Sequence, residues 1–384
     1  MALSQARRLL GTALRRLRSR RIEPGDVIND VPEVTPAWLT RVLREQGVLS
    51  GASVTRVRWT RLAALTASVA RVHPSYSGDL LEAGPDHLVL KSFVPDPGAS
   101  GLAQERLAEA GRREVDFYDV VARAMATMTA PPVARCFHAR YSSQGHRAHV
   151  LLEDLSETHS APPWPVPPER AQCEQAVGAI ARYHAFWWEH PRLGRDVGEV
   201  PGEAQVSAFV RELEEKFPAF VDFLGDRLSI EHRALYERFF ASAIPRLLTP
   251  RGGGSTLLHG DATWWNVLYP RDPAKDHARL IDWQFWRIGV GTDDMIGLVA
   301  IHLDPDRRRA LERDLLSRYH ARLEEAGVTR YGWSDCWSDY RESAIRHLPV
   351  PIWQWSVGMP AHVWWTSLDR ILRACADLGC GELV

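Results

Sequence analysis

One stretch constrains this chain more than any other. It runs Leu257-Leu258-His259-Gly260-Asp261-Ala262-Thr263-Trp264-Trp265-Asn266-Val267-Leu268-Tyr269, and Leu280-Ile281-Asp282-Trp283-Gln284 follows shortly after. A short apolar run delivers His-Gly-Asp, Asn266 comes five residues after the Asp, and a second apolar run delivers another Asp. That order suits phosphoryl transfer. One carboxylate beside an acceptor hydroxyl takes its proton, while an amide and a second carboxylate hold magnesium ions that clamp nucleotide phosphates. The reading makes Asp261 the base and Asn266 and Asp282 the metal ligands, with His259 bracing the turn. Taken singly, Gly, Asp and Asn are also turn and helix-cap residues. The ordered set, each polar group ending an apolar run, carries the reading.

The wording His-Gly-Asp…Trp-Asn-Val-Leu and Ile-Asp-Trp-Gln resembles the aminoglycoside phosphotransferase and choline kinase-like superfamily, and within it the ecdysteroid kinase-like branch. The resemblance covers roughly Thr35 to the C-terminus. It implies an α+β, protein-kinase-like bilobal fold: a small N-lobe antiparallel sheet with one long helix, and a larger, mostly helical C-lobe. It also implies a small-molecule kinase that uses ATP, with GTP as the other candidate nucleotide, and Mg2+ to phosphorylate a hydroxyl.

Composition agrees with a globular enzyme. The 384 residues suffice for two lobes, 25% are charged, and the formal net charge of -1 argues against a dedicated nucleic-acid binder. No apolar run reaches the roughly 18 residues of a membrane span. The five scattered cysteines form no Cys-x-x-Cys pair, which reads as reduced thiols, no zinc site and a cytoplasmic location. Lys91, Lys216 and Lys275 are the only lysines.

In chain order, the basic stretch 1–21 has leucines at near-helical spacing and reads as an amphipathic helix, packed on the body or lying on a membrane surface. Thr35-Pro36 opens a helix, as cap and first residue. Alternating runs at Val54–Trp59, Ser68–Val72 and Leu88–Phe93 read as three strands. The resemblance places the phosphate-covering turn at Leu62–Ala67, which contains no glycine and so departs from the family pattern. Lys91, at the end of the third strand, falls where relatives keep the lysine that pairs with the α- and β-phosphates. A helix over Gln104–Met128 carries Glu114-Val115-Asp116-Phe117-Tyr118, matching the family's Glu-x-x-Phe-Tyr. Glu114 is then the partner of Lys91, with Glu105 and Glu109 as competitors.

The strand Ala148–Leu155 resembles the hinge, whose backbone from Glu153 to Leu155 would bond the adenine edge. The proline-rich Ala161–Pro168 reads as a stiff linker, giving a division into 1–34, an N-lobe at 35–160 and a C-lobe at 161–384. Helices follow at Glu169–Trp188, where His184 reads as a hydrogen-bonded core histidine, and at Val206–Phe223 and Glu231–Leu248. Gly252–Ser255 reads as a connector, and the resemblance gives Asp294, with Asp293 as the competing match, as a helix cap or a support for the catalytic loop. Further helices are expected at Arg307–Ala326, Ser334–His347 and Pro360–Leu378. Tryptophans crowd this last region, some as core and some as a face suited to an acceptor ring.

The alternative function is a nucleotide-binding module without catalysis, favoured by the glycine-free turn and opposed by the full acidic set. A protein kinase fits less well, because the His-Gly-Asp segment lacks the catalytic-loop Arg. A small-molecule hydroxyl acceptor is the expected partner, with no nucleic acid and no integral membrane segment.

Overall fold

The computed structural model describes residues 27–64, 67–77, 84–95, 101–248 and 254–384. The basic stretch 1–21, Leu65 and Thr66 of the glycine-free turn, and Gly252-Gly253 lie outside the described residues. The chain forms two compact units. One holds the described residues up to Asp119 together with Arg135–Asp154, and the other holds Val120–Ala134 and Leu155–Val384.

The first unit is an antiparallel sheet flanked by helices. Helix α1 (Pro36–Glu45) precedes strands β1 (Val54–Leu62), β2 (Ser68–Tyr76) and β3 (Leu88–Phe93), helix α2 (Gly101–Asp116), and strands β4 (Cys136–Ser142) and β5 (Arg147–Glu153). The strand order is β1-β2-β3-β5-β4. Thr35 caps α1 by accepting the Trp38 N–H at 3.2 Å, with Pro36 at the first helical position. Leu39, Val42 and Leu43 of α1 are fully buried and pack with Val54, Val72, Leu90 and Leu151 of the sheet. Each such side chain contributes roughly 1.5–3 kcal/mol by burial. The Thr40 hydroxyl accepts the Val54 N–H at 2.8 Å, which fixes β1 against α1. Helix α2 approaches the sheet closely at Gly111, where a Cβ would stand 2.7 Å from that of Phe93 and 2.9 Å from that of Ala148. Any larger residue would push the helix off the strands.

Two sequence expectations need correction here. The helix expected over Gln104–Met128 is regular only to Asp116. A π-helical turn spans Phe117–Ala122 and a 3-10 turn spans Met125–Thr127. Adjacent Phe117 and Tyr118 are both buried. Strand β4 was not expected at all. Its Cys-Phe-His-Ala-Arg-Tyr-Ser text lacks clean alternation because the ladder is irregular between Cys136 and His138, and because His138 is buried.

The second unit is mostly helical. Strand β6 (His159–Ser160) leads to α3 (Arg170–Trp187), α4 (Glu203–Leu224) and α5 (Ile230–Leu248). Strands β7 (Ser255–Leu258), β8 (Val267–Pro270), β9 (Arg279–Leu280) and β10 (Arg287–Val290) come next. Helices α6 (Thr292–Met295), α7 (Pro305–Glu325), α8 (Trp333–Arg346), α9 (Val350–Ser356) and α10 (Ala361–Asp377) complete the chain. Two small sheets, β10-β7 and β6-β8-β9, hold the polar segments singled out above. Their strands are two to four residues long, too short to show a period in sequence. Trp187, Trp264 and Trp283 are fully buried core residues. Trp355 and Trp364 pack against Phe220 and Phe223 at ring separations of 5.3–6.0 Å.

Candidate active site

Strand β7 is apolar and buried through Leu257 and Leu258, then releases His259-Gly260-Asp261 at its end. Gly260 makes this exit possible. Its φ is +81°, and a Cβ there would lie 2.0 Å from the Phe285 carbonyl oxygen. Only glycine combines the left-handed conformation with that approach. The loop therefore lies directly against the segment that follows Asp282.

Ile281 sets the register between the two acidic segments. Its N–H donates to the Asn266 carbonyl at 3.0 Å, and its carbonyl accepts from His259 Nε2 at 2.8 Å. A carbonyl can only accept, so the proton of His259 sits on Nε2. Nδ1 then faces the Asp261 N–H at 3.4 Å. His259 also packs on Trp283, with ring centroids 4.5 Å apart. It thus braces both loops with its ring nitrogens already engaged. Asp282 follows Ile281 with φ +71°, a conformation that Asp tolerates better than most L-residues.

Asn266 ends a 3-10 turn, Trp264–Asn266, capped by Thr263, whose hydroxyl accepts the Asn266 N–H at 3.2 Å. Its Nδ2 donates to the Asp261 carbonyl at 3.0 Å and to Asp261 Oδ2 at 3.1 Å. Burial pushes the Asp261 carboxyl above the ordinary range. His259 opposes that shift, Asp282 adds to it, and the Asn266 hydrogen bond again opposes it.

The loop is held from below by Asp294. Its Oδ2 accepts the His259 N–H at 2.6 Å, and its Oδ1 accepts the Gly260 N–H at 3.0 Å. His184 of α3 reaches the same Oδ2 at 3.1 Å and meets the Tyr319 hydroxyl at 2.9 Å on its other nitrogen. Burial alone would raise the Asp294 pKa. The contacts with His184, His259 and Gly260 outweigh it and hold the group below its ordinary value. Asp293, the other candidate in sequence, serves a different element. It accepts from the Ser343 hydroxyl at 2.7 Å and pairs with Arg346 of α8 at 2.7 Å. Burial opposes its ionisation, yet Arg346 and Arg287 bring it down to about 2.

In the first unit, Lys91 Nζ lies 2.6 Å from Glu114 Oε2, the two side chains being 12% and 1% exposed. Glu109 pairs instead with Arg112, and Glu105 is exposed. The turn after β1 begins at Leu62, which still pairs with Val69, and the Arg61 guanidinium donates to the Ser68 hydroxyl at 3.2 Å. Strand β5 ends at Glu153, whose N–H donates to the Arg135 carbonyl at 2.9 Å and whose side chain accepts the Arg135 N–H at 2.7 Å. The Leu155 carbonyl is taken by the N–H groups of Thr158 and His159 at 3.1 and 2.7 Å. The Leu155 N–H makes no hydrogen bond among the described residues.

Sequence reasoning missed the Tyr319 end of the support under Asp294. Tyr319 sits inside the polar-looking helix α7, and nothing near it in sequence marks a contact with α3. Among the described residues, no group of three or more His, Cys, Asp or Glu side chains could form a metal cage, and no helix is long and apolar enough to cross a membrane.

The fold is the kinase-like one of a solved structure assigned to the aminoglycoside phosphotransferases. The sequence profile of the ecdysteroid kinase-like family matches residues 69–329, more than half of the chain, and the protein belongs to that family. A solved structure from Ralstonia eutropha JMP134, assigned to the aminoglycoside phosphotransferases, is similar with a TM-score of 0.53 at 15% identity, covering 89% of this chain and 97% of that one. The choline kinase of Streptococcus pneumoniae superposes at a TM-score of 0.47 and 10% identity, covering 88% and 99%. A microcompartment-associated aminopropanol kinase does so at 0.43 and 13%, covering 89% and 96%. No curated protein matches the chain in sequence.

Proposed function

We propose that the protein is an ATP- and magnesium-dependent phosphotransferase acting on a hydroxyl of a small molecule. The observation that carries the reading is the double clamp on Ile281, which holds Asp282 in register with Asn266 and Asp261. The donor set suits magnesium. Asp282 supplies a carboxylate and Asn266 an amide oxygen, both hard oxygen donors. Magnesium is commonly held by one or two protein groups, with substrate phosphates and water completing the shell. No all-protein cage is required.

On this reading Asn266 and Asp282 hold the metal, which supplies charge neutralisation for the phosphates when bound. The Asn266 amide turns its nitrogen towards Asp261, which leaves its oxygen for the metal. Asp261 orients the acceptor hydroxyl and takes its proton, one carboxylate oxygen being fixed by Asn266. Lys91, held by Glu114, positions the nucleotide phosphates, and the Leu155 N–H, beside Glu153 at the end of β5, donates to the adenine edge. Residues 35–160 thus serve the nucleotide, and 161–384 carry catalysis and the acceptor. His259 and Asp294 act through the loop they hold.

A thermal-shift titration with ATP and with GTP, each with and without magnesium, tests the proposal. Ligand that binds only the folded state raises the melting temperature. The expected result is a magnesium-dependent rise in the wild type that is lost in Asp282→Ala. The absence of any shift at millimolar nucleotide would contradict the reading.

A further inference from the structure

Helices α3 and α7 face each other with charged residues at four-residue intervals. Arg170, Glu174, Gly178 and Arg182 follow one another on α3, and Asp314, Arg318 and Arg322 on α7. The first rungs match in sign. Arg170 meets Asp314 at 2.8 Å, and Arg318 meets Glu174 at 2.9 Å. Continuing the register brings Arg322 opposite Gly178, with Arg182 one turn further on. The match ends there. Gly178 contributes no side chain, and a Cβ placed on it would meet nothing within 4 Å. The Arg182 side chain makes no hydrogen bond or ion pair among the described residues.

The charge around that gap is positive. Arg279 of β9 and Arg322 both act on Arg182, and among the described residues Asp276 opposes them. Asp276 is shared, since it pairs with Arg279 at 2.9 Å. Arg322 pairs with the exposed Glu325 at 2.5 Å. Burial and these two arginines disfavour the charged form of Arg182, and burial with Arg182 and Arg279 brings nearby His277 down to about 4. A half-buried guanidinium without a partner is unfavourable. Its fork of donors suits a bidentate oxyanion.

We propose that the space over Gly178, rimmed by Arg182 and Arg322 with Arg279 beside them, binds a small dianionic oxyanion of the phosphate class. The site is separate from the phosphotransfer residues. It nonetheless shares α3 with His184, two residues beyond Arg182, and β9 with the segment that leads to Asp282.

The test is a melting titration of the full chain without magnesium, comparing inorganic phosphate with chloride at equal ionic strength. A second arm uses glycerol 2-phosphate. At about tenfold excess over the dissociation constant, the wild type is expected to gain about 2 °C. Arg182→Met removes the response while melting no lower than the wild type in chloride, because it removes repulsion. Gly178→Glu places a carboxylate in the gap. It is expected to melt higher than Gly178→Gln in chloride and to show no phosphate response. A response to the monoester assigns the site to a phosphorylated metabolite, and a response to inorganic phosphate alone assigns it to the free ion. No phosphate-specific rise in the wild type, or a rise that survives both Arg182→Met and Gly178→Glu, overturns the proposal. So does a response lost in Lys91→Met and retained in Arg182→Met.

Discussion

Lys91 and Asp261 are held by opposite means. Lys91 meets its carboxylate partner side chain to side chain, between a strand and a helix that approaches the sheet closely at Gly111. Asp261 sits in a loop whose backbone is bound by a buried carboxylate, and that carboxylate is bound in turn by a histidine from a distant helix. A side-chain pair can be replaced by two neutral groups of similar size. A side chain that satisfies backbone N–H groups has no such substitute, because the peptide donors remain when it is removed. The fold is therefore expected to stand without the first arrangement. The second is part of the fold.

The largest expected effect follows from that difference. Asp294→Ala leaves two backbone donors and the His184 imidazole buried without their acceptor, and should lower unfolding free energy by about 3–5 kcal/mol in urea denaturation. Next comes Gly260→Ala. Its left-handed φ and the contact with Phe285 should cost at least about 2 kcal/mol in the same measurement. A smaller effect concerns pH. Asp293 is held at about 2, below its ordinary 3.8, so its ionised form favours the folded state. That stabilisation is present above pH ~4 and is lost as pH falls towards about 2. It amounts to roughly 2 kcal/mol, and the difference between wild type and Asp293→Asn should shrink over that window. The smallest effect is the sharpest test of the comparison. The double variant Lys91→Met/Glu114→Gln should unfold within about 1 kcal/mol of the wild type while losing nucleotide response. A loss as large as that of Asp294→Ala would show that both sites are structural.

Much of this was legible in the sequence, for reasons particular to each segment. Asp261, Asn266 and Asp282 each end a short apolar run, so their placement needed only the run and the break. Lys91 and Glu114 meet because a strand end and one helix face are both fixed by local pattern. Other features depend on the whole fold. Whether Asp293 or Asp294 faces β7 is decided by how α6 sits, and α6 is only four residues long. The hinge text gave a strand, but not that the Glu153 N–H and the Leu155 carbonyl bond within the protein. The π turns at Phe117–Ala122 and Ile296–Ile301 leave no mark in the apolar spacing of the sequence. The charge mismatch at Arg182 emerges only when α3 and α7 are set side by side.

On the proposed reading Asp261 takes a proton from a bound hydroxyl, while Asn266 and Asp282 hold the metal. Transfer of labelled γ-phosphate from ATP to a panel of hydroxylated acceptors tests it most directly, with wild type and Asp261→Asn run in parallel. The expected result is a transferred label that falls by about 100-fold or more in the variant, with the magnesium-dependent ATP shift unchanged. Equal transfer by the two proteins would contradict it.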